Sequence, residues 1–127
     1  MPISRLATYA AVAIVAVVVI NVLSIARQPA TSKRAYLVVQ ADVTNAERYA
    51  EYAKVAPDIV SRYGGRYLAR GGRTVTLEGP PARSRVVVLE FPSVEAAERF
   101  YRSPEYTAAR QLREGAATAQ FVVVEAL

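Results

Sequence analysis

Asn45–Tyr52 reads NAERYAEY, and Ala97–Phe100 repeats its centre as AERF. Each copy follows a run rich in β-branched and aromatic residues: AYLVVQADV (Ala35–Val43) before the first, RVVVLEF (Arg85–Phe91) before the second. Such runs suit strands. Each copy also stands behind the chemistry that starts a helix. Thr44 and Glu47 have the spacing of a capping box, in which the hydroxyl accepts from the Glu47 amide while the carboxylate reaches back. Ser93 has the small hydroxyl side chain preferred at a helix N-cap, with Glu95 in the first turn. Strand, capped helix and "AER" plus an aromatic therefore occur twice. In both copies the periodicity turns the aromatic, Tyr49 or Phe100, towards the sheet and the Glu and Arg towards solvent.

Working outward, Tyr52, Ala53, Ala56, Ile59, Val60 and Tyr63 continue the first helix at helical spacing, with Pro57 inside it as an expected kink. Gly64-Gly65 stops it. RYLARGGRTVTL (Arg66–Leu77) is predicted as a second strand with a bulge at Gly71-Gly72, and Gly79-Pro80-Pro81 as a turn. Ser103-Pro104 opens a further short helix, ended by Gly115. QFVVVEA (Gln120–Ala126) is predicted as a fourth strand. The order β-α-β-β-α-β is that of a ferredoxin-like α+β fold, an antiparallel sheet with its helices on one face. The other face is left for something else to cover.

Ahead of this domain, placed at residues 35–127, the chain has another character. Leu6–Ile25 holds 20 residues without a charge, enough helix to span about 30 Å of hydrocarbon. Residues 1–27 are accordingly expected to be a single-pass membrane anchor, and residues 28–34 (QPATSKR) a tether. The alternative is a signal segment cleaved near Ala26, after Ser24-Ile25-Ala26, which would release the domain to the periplasm. The apolar run exceeds the usual signal-peptide length of about 7–15 residues, which favours the anchor. With an anchor, the Lys/Arg balance of the flanks places the domain on the cytoplasmic side.

The formal charge of +5 suggests nucleic acid until it is located. Arg5, Arg27, Lys33 and Arg34 flank the apolar run; the 12 basic residues beyond them face 11 acidic ones. A near-neutral domain is a poor phosphate binder, so nucleic acid is not an expected partner. The chain has no cysteine, histidine or tryptophan. That excludes disulfides, thiolate or imidazole metal sites, Ser–His or Cys–His nucleophiles, and His- or Cys-ligated haem. No metal and no cofactor is expected.

In order and spacing, YLVVQADVTNAERYAEY, YGGRYLARGG, TLEG, RVVVLEFPS and FYRSPEY resemble the bacterial family called domain of unknown function 1330, from about Tyr36 to the end. The resemblance implies a dimeric α/β barrel, in which two ferredoxin-like sheets pair by their open faces, and hence a homodimer. It carries no established activity. The wider superfamily includes cofactor-free oxygenases and isomerases whose usual histidines and tryptophans are missing here.

Strand alternation sets Leu37, Val39, Ala41 and Val43 against the helices and Tyr36, Val38, Gln40 and Asp42 on the open face. Val86, Val88 and Glu90 share that open face on the third strand. The strand order 4-1-3-2 implied by the resemblance makes these strands neighbours, so Gln40 and Glu90 are expected side by side, with Arg70 completing the row and Tyr36 near the barrel mouth. Glu90, Gln40, Arg70, Asp42 and Tyr36 are thus the candidate ligand-binding residues, for a small polar or aromatic molecule. The same row also reads as a structural polar network, which makes the domain a non-catalytic dimerisation module. A third reading is a cofactor-free isomerase-like or oxygenase-like enzyme. The sequence leaves open whether there is catalysis at all.

Overall fold

The computed structural model describes residues 32–127. The apolar segment 6–25 and most of the tether lie outside the described residues. The elements run β1 (Ala35–Val43), α1 (Ala46–Arg62), β2 (Arg66–Arg70), β3 (Arg85–Phe91), α2 (Val94–Arg102), α3 (Pro104–Leu112) and β4 (Ala117–Glu125). They build one antiparallel four-stranded sheet in the order β2-β3-β1-β4, the α+β, ferredoxin-like arrangement expected from the repeat.

Alternation decides which side chains are inside. Leu37, Val39 and Ala41 of β1 and Val87, Leu89 and Phe91 of β3 are buried, and all of these but Ala41 meet Tyr52, Ala56, Ile59 and Val60 of α1 and Phe100 of α2 in one core. Tyr106 of α3 is fully buried at its centre, 4.2 Å from the Phe100 ring. Both helix starts are capped by side chains: Ser93 accepts from the Ala96 amide, and Ser103 from that of Tyr106. Pro57 lies inside α1, which runs on past it to Arg62, and Gly64 (φ +77°) turns the chain out of the helix.

Three local expectations are corrected. The α1 cap is Asn45, whose side chain accepts from the Arg48 amide at 3.1 Å. The Thr44 hydroxyl instead donates to the Ala116 carbonyl, tying β1 to the start of β4. Strand β4 starts at Ala117, three residues ahead of the expected Gln120, because β1 pairs along its whole length down to Val43 opposite Ala117. Strand β2 stops at Arg70 where Leu77 was expected. Gly71 takes φ +64°, and a longer strand would need partners around Pro80 and Pro81, which have no amide hydrogen to give. Every residue from Leu68 to Ala82 is exposed. The β2–β3 connection is therefore an arm with apolar side chains on it, Val75 at 62% exposure and Leu77 at 94%.

Candidate functional site

The open face of the sheet carries the row that the sequence predicted, in a different arrangement. Register places Glu90 opposite Tyr36, and Gln40 opposite Val86 and Gln120. Gln40 and Glu90 thus stand four residues apart along the strands, about 13 Å at 3.3 Å per residue. Glu90 is half-buried and pairs with Arg66 (3.1 Å) and Arg34 (3.7 Å). Asp42 is exposed and works locally: it accepts from the Ser84 amide and lies 3.8 Å from Arg83, pinning the point where the arm returns to β3.

Arg70 is not on this face. The β2–β3 register runs Arg66 to Glu90, Tyr67 to Leu89, then Ala69 to Val88 and Arg70 to Val87, with the irregularity between Tyr67 and Ala69. Leu68 is the extra residue. A bulge shifts everything after it by one position, and a one-residue shift moves a side chain to the opposite face. The bulge was expected at Gly71-Gly72; lying at Leu68, it carries Arg70 to the helix side. There its guanidinium donates to the Ala53 carbonyl at 2.7 Å and lies 4.7 Å from the Tyr67 ring centre.

Two concavities lie on this helix side. A narrow, partly open cavity of about 30 Å³ lies between sheet and helices, lined by Tyr49, Tyr52, Tyr67, Arg70, Arg85 and Tyr106 among apolar residues. It holds no more than about two water molecules. An open recess of about 510 Å³ adjoins it, lined by Val43, Ala46, Ala50, Gly71 and Ser84. Tyr49, Ala53 and Arg85 line both and form the partition between them. The recess has the volume of a small-molecule site but is wide open to solvent, and open depressions of about 430 and 420 Å³ occur elsewhere on the described residues; the small cavity is below that size range.

The chemistry of this region is guanidinium and phenol. Arg85 lies 5.5 Å from the centre of the Tyr49 ring, and Arg113 at 5.2 and 5.3 Å from those of Tyr52 and Phe121. The Tyr52 and Tyr106 hydroxyls share a 2.6 Å hydrogen bond. Burial pushes both phenols up from their usual range; for Tyr52 the Tyr106 partner pushes the same way, while Arg113 opposes in both. Burial also raises Tyr67, against the Arg70 charge. At neutral pH these phenols keep their protons, so they can donate hydrogen bonds but do not act as bases. No Asp or Glu lines the cavity or the recess, and among the described residues no group of acids is placed to hold a metal ion.

Sequence reasoning missed Arg85, Tyr49 and Gly71. Their clue was present: alternation from the buried Val87 puts Arg85 on the helix side of β3, the same side as Tyr49. A charged residue on the inward face of a strand needs a partner, and that need is the signal that marks Arg85.

The family model of domain of unknown function 1330 (DUF1330) matches residues 34–127. No protein of curated function matches the chain. Among solved structures, the RPA0582 protein of unknown function from Rhodopseudomonas palustris is 23% identical, with 76% of this chain and 84% of that one covered and a TM-score of 0.63. SnoaB, a cofactor-independent oxygenase from Streptomyces nogalater, is 17% identical over 76% of this chain and 95% of its own, with a TM-score of 0.54. At these identities the likeness is one of fold.

Proposed function

The chain belongs to the DUF1330 family, and we propose that its domain is a self-associating module that binds a small aromatic molecule in the recess between α1 and the arm end of the sheet, held at a membrane by residues 6–25. The observation that carries the binding reading is the chemistry of the recess: Arg85, over the Tyr49 ring and without an ion pair among the described residues, lines an open depression of about 510 Å³ that has no acid in its lining. This reading takes the helix face in place of the open face, since the Leu68 bulge turns Arg70 off the open face and register separates Gln40 from Glu90. Ala50 is exposed and lines the recess, so Ala50→Met should fill it with little effect on folding. Saturation-transfer NMR of the full chain with a library of aromatic fragments should give hits that this change removes. Hits that survive it unchanged would place binding elsewhere.

Self-association is supported by the uncovered apolar surface. Val122 and Val124 are 49% and 52% exposed on the open face, beside the half-buried Val38 and Val88, and the arm presents Val75 and Leu77. Contiguous exposed apolar surface of this kind marks an interaction site, and a two-fold pairing of identical faces would cover it.

An oxygenase reaction is the second reading, favoured only by the fold shared with SnoaB. Cofactor-free oxygenation needs a substrate anion, and therefore a base or a substrate already ionised. The recess offers no carboxylate, and the chain no imidazole. Binding comes first; oxygen uptake with any fragment that binds would promote the enzyme reading.

A further inference from the structure

We infer that the ligand class of this recess is a planar aromatic anion, its carboxylate or phenolate held by Arg85 and its ring laid against Tyr49; the inference rests on the small-molecule reading above. Arg85 is the first residue of β3, opposite Ala41 on the helix side. Its guanidinium lies over Tyr49 and is brought close to the backbone at Gly71, where an added Cβ would fall 2.5 Å from Nη1. The Arg85 Nε is buried with no hydrogen-bond partner, and the side chain makes no ion pair among the described residues. Arg70, at the mouth of the same cavity, is also without an acid; it is bonded to the Ala53 carbonyl.

Both guanidiniums line the small cavity, and Arg85 also lines the recess; neither lining contains an Asp or Glu. The unpartnered buried Nε is a feature shared with Arg110 and Arg113; what an anion would meet in the recess is the charged end of Arg85, which has no counter-ion among the described residues. A guanidinium fork matches a carboxylate in two parallel hydrogen bonds. The anion supplies the missing counter-charge. The flat part of the ligand follows from the walls: the Tyr49 ring and the small side chains of Ala46, Ala50 and Ala53 leave a smooth apolar surface. A compact tetrahedral anion such as phosphate satisfies the guanidiniums and leaves that surface unused.

The test uses the full 127-residue chain in detergent micelles, with empty micelles as the blank, and fluorine NMR of 4-fluorobenzoate and 4-fluorobenzamide at pH 7. The two probes have nearly the same shape and differ by one charge. The benzoate should bind about tenfold or more tighter than the amide, the factor expected of one charge-assisted hydrogen-bonded pair. Arg85→Gln should erase that preference, Arg85→Lys should keep part of it, and inorganic phosphate should compete only weakly. Should Arg85→Gln fail to fold, the benzoate-against-amide comparison on the parent stands alone, and the Arg85 Nε–H resonance, which should shift with benzoate and not with the amide, reports the contact. Equal affinity for the two probes, a preference that survives Arg85→Gln, an unmoved Arg85 resonance, or phosphate competing as well as benzoate overturns the ligand class. Failure of both probes to bind overturns the small-molecule reading beneath it.

Discussion

Replacing Tyr52 and Tyr106 with phenylalanine, singly and together, measures what the buried phenol pair contributes. The two hydroxyls are 2.6 Å apart inside the core, on residues 8% and 0% exposed. Each single change removes one partner and leaves the other buried hydroxyl without that bond, costing about 1–3 kcal/mol, with Arg113 beside both phenols in every variant. The double change removes both polar groups and keeps both rings, including the packing of Tyr106 on Phe100, so it should cost less than the sum of the singles. A favourable coupling of about 1–2 kcal/mol is expected, since neighbours in one hydrogen bond are not additive. For a domain of this size a kcal/mol moves the melting point by about 4–8 °C. Urea titration at fixed protein concentration gives the cycle, the concentration being held because self-association adds to stability.

The same variants predict a pH dependence. Burial raises the Tyr52, Tyr67 and Tyr106 pKa values in the folded state, whereas in the unfolded chain they ionise near 10. The folded protein keeps protons that the unfolded chain gives up. This contribution is complete below about pH 10 and is lost as the pH rises from there towards the folded-state values, by up to about 1.4 kcal/mol per pH unit for each phenol. The double Phe variant keeps only Tyr67 and should lose stability less steeply above pH 10. A double variant that costs the sum of its singles, together with an alkaline slope equal to the parent's, would refute the reasoning.

Gly71→Ala should destabilise by about 1–2 kcal/mol, because φ +64° is strained for an L side chain and the new Cβ meets the Arg85 guanidinium; Gly72→Ala, with nothing within 4 Å, should be near neutral, and thermal melts of the two distinguish backbone strain from a general intolerance of the arm. Val124→Glu on the open face should shift the sedimenting species from dimer to monomer while the circular dichroism spectrum is kept, and an unchanged sedimentation coefficient would send the interface elsewhere. Membrane fractions washed in alkaline carbonate should retain the full-length chain through Leu6–Ile25; a product beginning at Arg27 and released by osmotic shock would show that Ser24-Ile25-Ala26 is a cleavage site.

Much of this fold was legible because alternation and capping are local signals. β1 and β3 begin and end where their β-branched runs do, and Ser93 and Ser103 cap the helices that follow them. What failed depends on partners far along the chain. Thr44 and Asn45 are both good caps, and the choice went to Asn45 with the Thr44 hydroxyl bonded to a carbonyl 72 residues away. The length of β2 depends on what β3 offers opposite it. The candidate site failed for the same kind of reason: Gln40 and Glu90 do share a face, as alternation requires, but register sets them apart along it. Parity along a strand is local information, whereas register between strands is not.

The bulge at Leu68 links the two halves of the functional reading. In an unbroken β2, Arg66 and Arg70 would share the open face, Arg66 beside Glu90 and Arg70 opposite Val86, about 13 Å further along the strands. The small helix-side cavity would then have Arg85 as its one guanidinium. Arg66 precedes the bulge and keeps its place opposite Glu90, 3.1 Å away, while the extra residue turns Arg70 into the lining of the small cavity. The irregularity thus leaves the Arg66–Glu90 pair of the sheet face untouched and adds a second cation to the cavity that adjoins the site proposed for an anion. Deleting Leu68 should return Arg70 to the open face and leave the Arg66–Glu90 pair in place: the arm is long enough to absorb one residue, but the shift would exchange the facings of Arg70 and the residues after it. The deletion variant should therefore weaken the preference of the recess for benzoate over benzamide, which Arg85 alone then carries, while keeping its fold. A variant that keeps that preference in full would show that Arg70 plays no part in the site and that the bulge serves the sheet alone.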